Sequence, residues 1–165
     1  MYKNFLRSGQ VIEQAFARLA EARGYRVRAA SFQADCNEHW DVEISNSEHS
    51  KKVDVKGMKR LERSGSLQDQ WHWIELHSVR PRDPGWLYGG KSDLIAFETK
   101  ADFVLADRFE LMDLVERLVP PSSARVGYAP SSKYKLYSRD GRPDLLTLIE
   151  TDKIREIAWQ VWNKA

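Results

Sequence analysis

Two short runs of alternating apolar and polar residues, separated by a polar turn, constrain this chain more than any other feature. Residues 39–45 place Trp40, Val42 and Ile44 on one side and Asp41 and Glu43 on the other. Residues 52–58 oppose Val53 and Val55 to Asp54 and Lys56, and 46–50 between the runs are turn-forming. Paired as a hairpin, the two strands must share one apolar face, which fixes the parity of their register. With Ile44 opposite Lys51, Val42 meets Val53, Trp40 meets Val55, and Asp41 stands across from Asp54. A slip of two residues changes partners but not faces, so Asp41, Asp54 and Lys56 share a face in every register the pattern permits.

Carboxylates facing each other about 4.5–5.5 Å apart at Cβ repel unless a cation lies between them. Lys56 supplies one positive charge and a divalent metal supplies more, with all-oxygen ligands suiting magnesium or manganese. An ion held this way can bind a phosphodiester and lower the pKa of the attacking water. Lys56 fits a cationic, charge-stabilising role, because flanking carboxylates oppose the depressed pKa that a lysine base requires. Glu13 offers a third carboxylate. It lies about 60° from Phe16 and about 20° from Ala20 on a helical wheel, at the rim of the apolar stripe.

The series Glu13, Asp41 and Asp54-Val55-Lys56 resembles the PD-(D/E)XK nuclease superfamily, in the manner of small phage-type endonucleases and junction resolvases. The resemblance spans about residues 9–120 in order of elements. Trp40 stands where the superfamily's motif proline would be, and Asp54 takes the position often held by Glu. It implies an αβββαβ core. It also implies a metal on Asp41, Asp54 and the Val55 carbonyl, with Glu13 assisting and Lys56 catalytic. The activity implied is that of a magnesium- or manganese-dependent endonuclease acting on DNA, including branched or phage recombination DNA. The alternative is an inactive module on the same fold that binds nucleic acid or a protein.

The rest of the chain sets the frame for that site. Its 165 residues, 42% of them hydrophobic, suffice for one nuclease-like domain over 1–165 with its own core. A net charge of +2 excludes histone-like coating of DNA but not a local basic groove. Lys51, Lys52, Lys56, Lys59, Arg60 and Arg63 fall within one short stretch that holds only Asp54 and Glu62 as acids. Lys52, Lys59, Arg60 and Arg63, with Gln70 after them, are the candidate nucleic-acid contacts. Cys36, the single cysteine, excludes an internal disulfide framework. With no long apolar run and no leader-like start, the chain reads as cytoplasmic with no membrane partner. A homodimer would suit cleavage of two strands.

Periodicity predicts a helix over 8–23 stopped by Gly24, and strands at 26–32, 71–79, 93–99 and 102–106. A helix capped by Asp107 ends at Pro120-Pro121. Strands at 134–138 and 145–149 flank a turn, and a last helix runs from Thr151 with the stripe Ile154, Ile157, Ala158 and Val161. Residues 59–70 and 81–90 read as loops, the second carrying aromatics that would either stack on bases or pack on the sheet. The class expected is α+β or mixed α/β, with a single central mixed sheet, flanking helices and extra C-terminal strands and a helix. Glu75 and His39 are further polar candidates beside the site, and Arg139 is a candidate phosphate contact.

Overall fold

A computed structural model of the chain describes residues 2–165, with side chains from Gly9 onward; the start of the chain, on which the expectation about a leader rests, lies outside the described side chains. In chain order the elements begin with α1 (Tyr2–Ala22), β1 (Arg26–Ala29), α2 (Phe32–Glu38), β2 (Val42–Ser45) and β3 (Ser50–Lys56). They continue with β4 (Trp71–His77), α3 (Gly85–Gly89), β5 (Leu94–Glu98), β6 (Asp102–Asp107) and α4 (Arg108–Leu118). The remainder is β7 (Arg125–Val126), β8 (Leu136–Ser138), β9 (Leu145–Glu150), α5 (Thr151–Glu156) and β10 (Ala158–Asn163).

The hairpin forms in the register that its apolar pattern requires, with Val42 opposite Val53 and Ile44 opposite Lys51. β5 adds to β3 in parallel, after a crossover that contains β4 and α3. The resulting six-stranded mixed sheet has the order β1-β2-β3-β5-β6-β10. α1 packs on one face, where Phe16 and Ala20 meet Val42, Ile44, Val53, Leu94 and Phe103. Gly24, at φ 87°, takes the left-handed turn that ends the helix; a side chain there would be strained. The opposite face buries Ile95, Phe97 and Val104 against Leu111, Leu114 and Val115 of α4 and against Trp86 and Leu87 of α3. β5 is therefore buried on both faces, as its unbroken apolar run suggests.

This is the mixed α and β class expected, with helices on both faces of a mixed sheet. Four features differ from the sequence reading. The strands divide between two sheets instead of one: β4 pairs with β9 in a four-stranded sheet of order β4-β9-β8-β7. Ile74 and Ile149 dock that sheet onto the same core as β5. Second, the last helix stops after Glu156, and Ala158–Asn163 is strand β10 on the open edge of β6. A register shift between Ala158 and Gln160 accompanies the burial of Trp162, which stacks on Phe16 at 5.2 Å. Third, residues after Ala29 turn into α2, capped by the Ser31 hydroxyl accepting from the Ala34 N–H. Fourth, residues 81–90 are not all loop: they hold α3, whose Trp86 and Leu87 are buried in the core, the packing alternative of the two expected for these aromatics. No helix among the described residues is long and apolar enough to cross a membrane.

Candidate active site

The carboxylate cluster forms where the chain passes from α2 into β2. His39 adopts a left-handed conformation, φ 55°, and ends α2. The Asp41 N–H then donates to the Val53 carbonyl at 2.9 Å, and the Asp41 carbonyl accepts from Ala30 N–H at 2.8 Å. Asp41 Oδ2 accepts from the Val55 N–H at 2.6 Å. The side chain thus occupies the ladder position that a further residue of β2 would have filled. This pins Asp41 beside the Asp54-Val55-Lys56 run.

Asp54 lies inside β3, opposite Ile95 of β5, and is only 3% exposed. Its Oδ1 is 3.1 Å from Lys56 Nζ, while its Oδ2 is buried with no hydrogen-bond partner. Lys56 Nζ also lies 4.8 Å from the centre of the Trp86 ring, so the buried α3 aromatic forms a wall behind the ammonium. Glu13, on α1, lies near enough to this cluster that Asp41, Asp54 and Lys56 all bear on its carboxyl. The four residues that the sequence singled out therefore come together from helix α1, the residue just before β2, and strand β3.

The electrostatics follow from three acids around one lysine. Burial and then the Asp54 charge raise the Asp41 carboxyl to about 9, against the Val55 hydrogen bond. Glu13 is raised as well, by burial and then by Asp35. Burial alone would lower Lys56, but Asp54 and Asp41 more than reverse it, so the lysine stays cationic. That agrees with a charge-stabilising role and not with a lysine base. Glu75, from β4, faces the same lysine; burial raises its carboxyl, while Lys56 and the Trp86 N–H, which donates to Oε1 at 3.2 Å, oppose the rise.

Among the described residues, no three His, Cys, Asp or Glu side chains converge as a complete metal-ligand set. The orphaned Asp54 oxygen and the proton-demanding Asp41 carboxyl nevertheless leave this cluster short of positive charge. Two hard carboxylates suit Mg2+, which commonly takes one or two carboxylates and keeps its remaining ligands as water or phosphate.

Beside the cluster opens a cleft of about 990 Å³ between the β3–β4 connection and the second sheet. Lys56, Lys59, Arg60 and Arg63 line it, as do Glu75 and Trp86. Burial and then repulsion from Lys56 lower the Lys59 ammonium. Lys52 and Gln70 are not among the cleft residues: Lys52 rests over the Trp40 ring at 5.1 Å, and Gln70 is exposed. The glutamine that shapes this connection is Gln68, whose amide donates to the Lys59 and Trp71 carbonyls and accepts from the Gln70 and Trp71 N–H groups. His39 is held by Asp83 at 3.1 Å and is tied up in structure. Arg139 lines the cleft but is paired with the buried Asp144.

Two cleft residues escaped the sequence reading. Glu98 ends β5, accepts from Met58 N–H at 3.1 Å and pairs with Lys164 at 3.0 Å. It is the one charge in an otherwise apolar strand, and that was its available signal. Tyr137 lies on a short strand with nothing local to mark it.

No protein-family model matches the chain, and no curated protein matches it. Among solved structures it is similar to a bacterial homing endonuclease (I-Ssp6803I), with 17% identity, 64% of this chain and 70% of that chain covered, and a TM-score of 0.44. A likeness at that level bears on neither activity nor residue roles.

Proposed function

We propose that this protein is a metal-dependent endonuclease that hydrolyses DNA phosphodiesters at the Asp41–Asp54–Lys56 cluster. The observation that carries the reading is the buried, unpartnered Oδ2 of Asp54, whose Oδ1 pairs with Lys56, in a cluster beside a cleft lined by Lys59, Arg60 and Arg63. A fold leaves a buried carboxylate oxygen without a partner at a cost of about 1–3 kcal/mol, and a cation is the partner that fits it.

Asp41 and Asp54 would hold Mg2+ or Mn2+, with the Val55 carbonyl that the resemblance to PD-(D/E)XK nucleases implies. The bound ion supplies Lewis acidity to the phosphate and a more acidic water. The protein's own groups do the rest. Asp41 is fixed by the Val55 N–H, and Glu13 steadies it from α1. Lys56, already cationic, stabilises the charge that builds on the phosphoryl oxygens. Lys59, Arg60 and Arg63 attract the backbone on either side of the scissile phosphate. Cleavage within strands, a homodimer that presents two sites, a cytoplasmic setting and a phage-type or recombination substrate all belong to this proposal.

The test is incubation of the purified protein with supercoiled plasmid, linear duplex, single strand, four-way junction and RNA, each with Mg2+, Mn2+ or EDTA. The reading expects metal-dependent cleavage of DNA that Asp54→Ala and Lys56→Ala abolish. No cleavage of any substrate, with salt-sensitive DNA binding intact in wild type and Asp54→Ala, would replace it with a binding module.

A further inference from the structure

The second sheet has two unlike faces. His72, Ile74 and Ile149 point into the core. The other face carries Trp71 and Trp73 of β4, which alternate with those buried residues and are only half-buried. Register puts Trp73 opposite Leu148, Glu75 opposite Leu146, and Leu146 opposite Tyr137, so Trp73, Leu146 and Tyr137 share this face. The Trp73 and Tyr137 rings lie 5.5 Å apart, and both line the cleft that leads to Lys56. Trp71 meets Tyr134 at 5.3 Å, and Lys133 Nζ sits 4.9 Å over the Trp71 ring. The Trp73 indole N–H donates to the Arg60 carbonyl at 3.2 Å, which tethers the basic connection along the edge of the aromatic face.

We propose that this face is a stacking platform for an unpaired DNA strand, so that the substrate carries a single-stranded segment; the inference rests on the nuclease reading above. Two observations select this occupant. Rings inside a cleft cannot reach bases that are stacked and paired in a duplex, whereas an unpaired base presents a free face to them. Cations accompany the rings, with Lys59, Arg60 and Arg63 lining the same cleft and Lys133 over the neighbouring Trp71 ring, which complements a backbone that runs beside stacked bases. Lys56 lines the same cleft as Trp73 and Tyr137, so a strand on the platform passes beside the lysine that pairs with Asp54.

Fluorescence anisotropy in EDTA tests the platform without cleavage. Labelled single-stranded DNA of about 20 nucleotides is compared with a blunt duplex and an RNA of equal length. The single DNA strand should bind at least about tenfold tighter than the duplex. Trp73→Ala combined with Tyr137→Ala should weaken it about tenfold or more, in a variant whose melting curve shows that it is folded. Trp73→Phe should restore most of the binding, and the salt dependence should persist in every variant because it arises from the lysines and arginines. Equal affinity for duplex and single strand, or no loss on removing both rings from a folded variant, would overturn the platform. Tighter binding of RNA would overturn the DNA assignment. Ring-dependent binding of the single strand by a protein that cleaves nothing would support the platform and overturn the nuclease reading, so the two fail separately.

Discussion

Replacing Asp41 by Asn should stabilise the metal-free protein while removing its response to Mg2+. In the folded chain the carboxyl is raised from 3.8 to about 9, by burial first and then by Asp54, so it keeps its proton across a range in which the unfolded chain has lost it. The folded state therefore binds more protons from about pH 4 to pH 9, and stability falls as pH rises through that window. Each pKa unit corresponds to about 1.4 kcal/mol, which sets a ceiling of about 4 kcal/mol on the destabilisation at pH 7. Water reaches this partly exposed group, so about 2 kcal/mol is the working expectation. The Asn carbonyl can still accept the Val55 N–H, and its amide can donate to Glu13, so the exchange leaves no donor stranded. For a chain of this size, about 2 kcal/mol is a rise of about 4–8 °C in Tm. The assay is thermal unfolding by circular dichroism in EDTA from pH 5 to 9, repeated with Mg2+. Wild type should lose Tm as pH rises and gain it with Mg2+, about 2.7 kcal/mol at a hundredfold excess over Kd. The variant should start higher, show a flatter pH profile and gain little. A variant less stable than wild type in EDTA at pH 7, or one stabilised equally by Mg2+, would refute the reasoning.

Lys56→Met strands the buried Asp54 charge and should cost about 3–5 kcal/mol in urea unfolding, with much of the loss recovered when Asp54→Asn is added. Trp162→Ala removes a fully buried ring from its stack on Phe16 and should cost about 3–5 kcal/mol, loosening β10 from β6 as seen by hydrogen exchange. A Cβ at Gly90 would fall 2.4 Å from the Trp86 carbonyl oxygen, a backbone atom with little room to yield. Gly90→Ala should therefore lower stability by about 1–3 kcal/mol and shift Trp86 behind Lys56, visible as reduced cleavage at unchanged DNA affinity.

The candidate site was legible because a strand's period of two ties face to position. Once Val42, Ile44, Val53 and Val55 had to share a face, Asp41 and Asp54 had to come together; the observed register pairs Val42 with Val53, and Asp41 just before it bonds the Val53 carbonyl and the Val55 N–H on either side of Asp54. Glu13 was legible as a rim position on a long amphipathic helix. What escaped depended on distant partners. Trp71, Trp73 and Glu75 alternate plainly, but nothing local says that they pair with Leu148 and Glu150 in a second sheet instead of joining the first. Ile154, Ile157, Ala158 and Val161 satisfy a helical period, yet the open edge of β6 captures 158–163 as a strand, because that pairing also buries Trp162. α2 buries none of its residues, so it left no apolar stripe to read; only Ser31 marked its start. Pro84-Gly85 marked a turn correctly, since Gly85 has φ 83°, but not the depth to which Trp86 and Leu87 sink after it.

The central claim is that Asp41 and Asp54 form a cation site, and the most direct measurement is anomalous diffraction from crystals of the full chain soaked in Mn2+. The account predicts an anomalous peak in contact with both carboxylates, with Lys56 released from Asp54 or sharing it, and loss of that peak in Asp54→Asn. Occupied manganese elsewhere on the molecule, with the Asp41–Asp54 cluster empty and Asp54 still paired to Lys56, would contradict it.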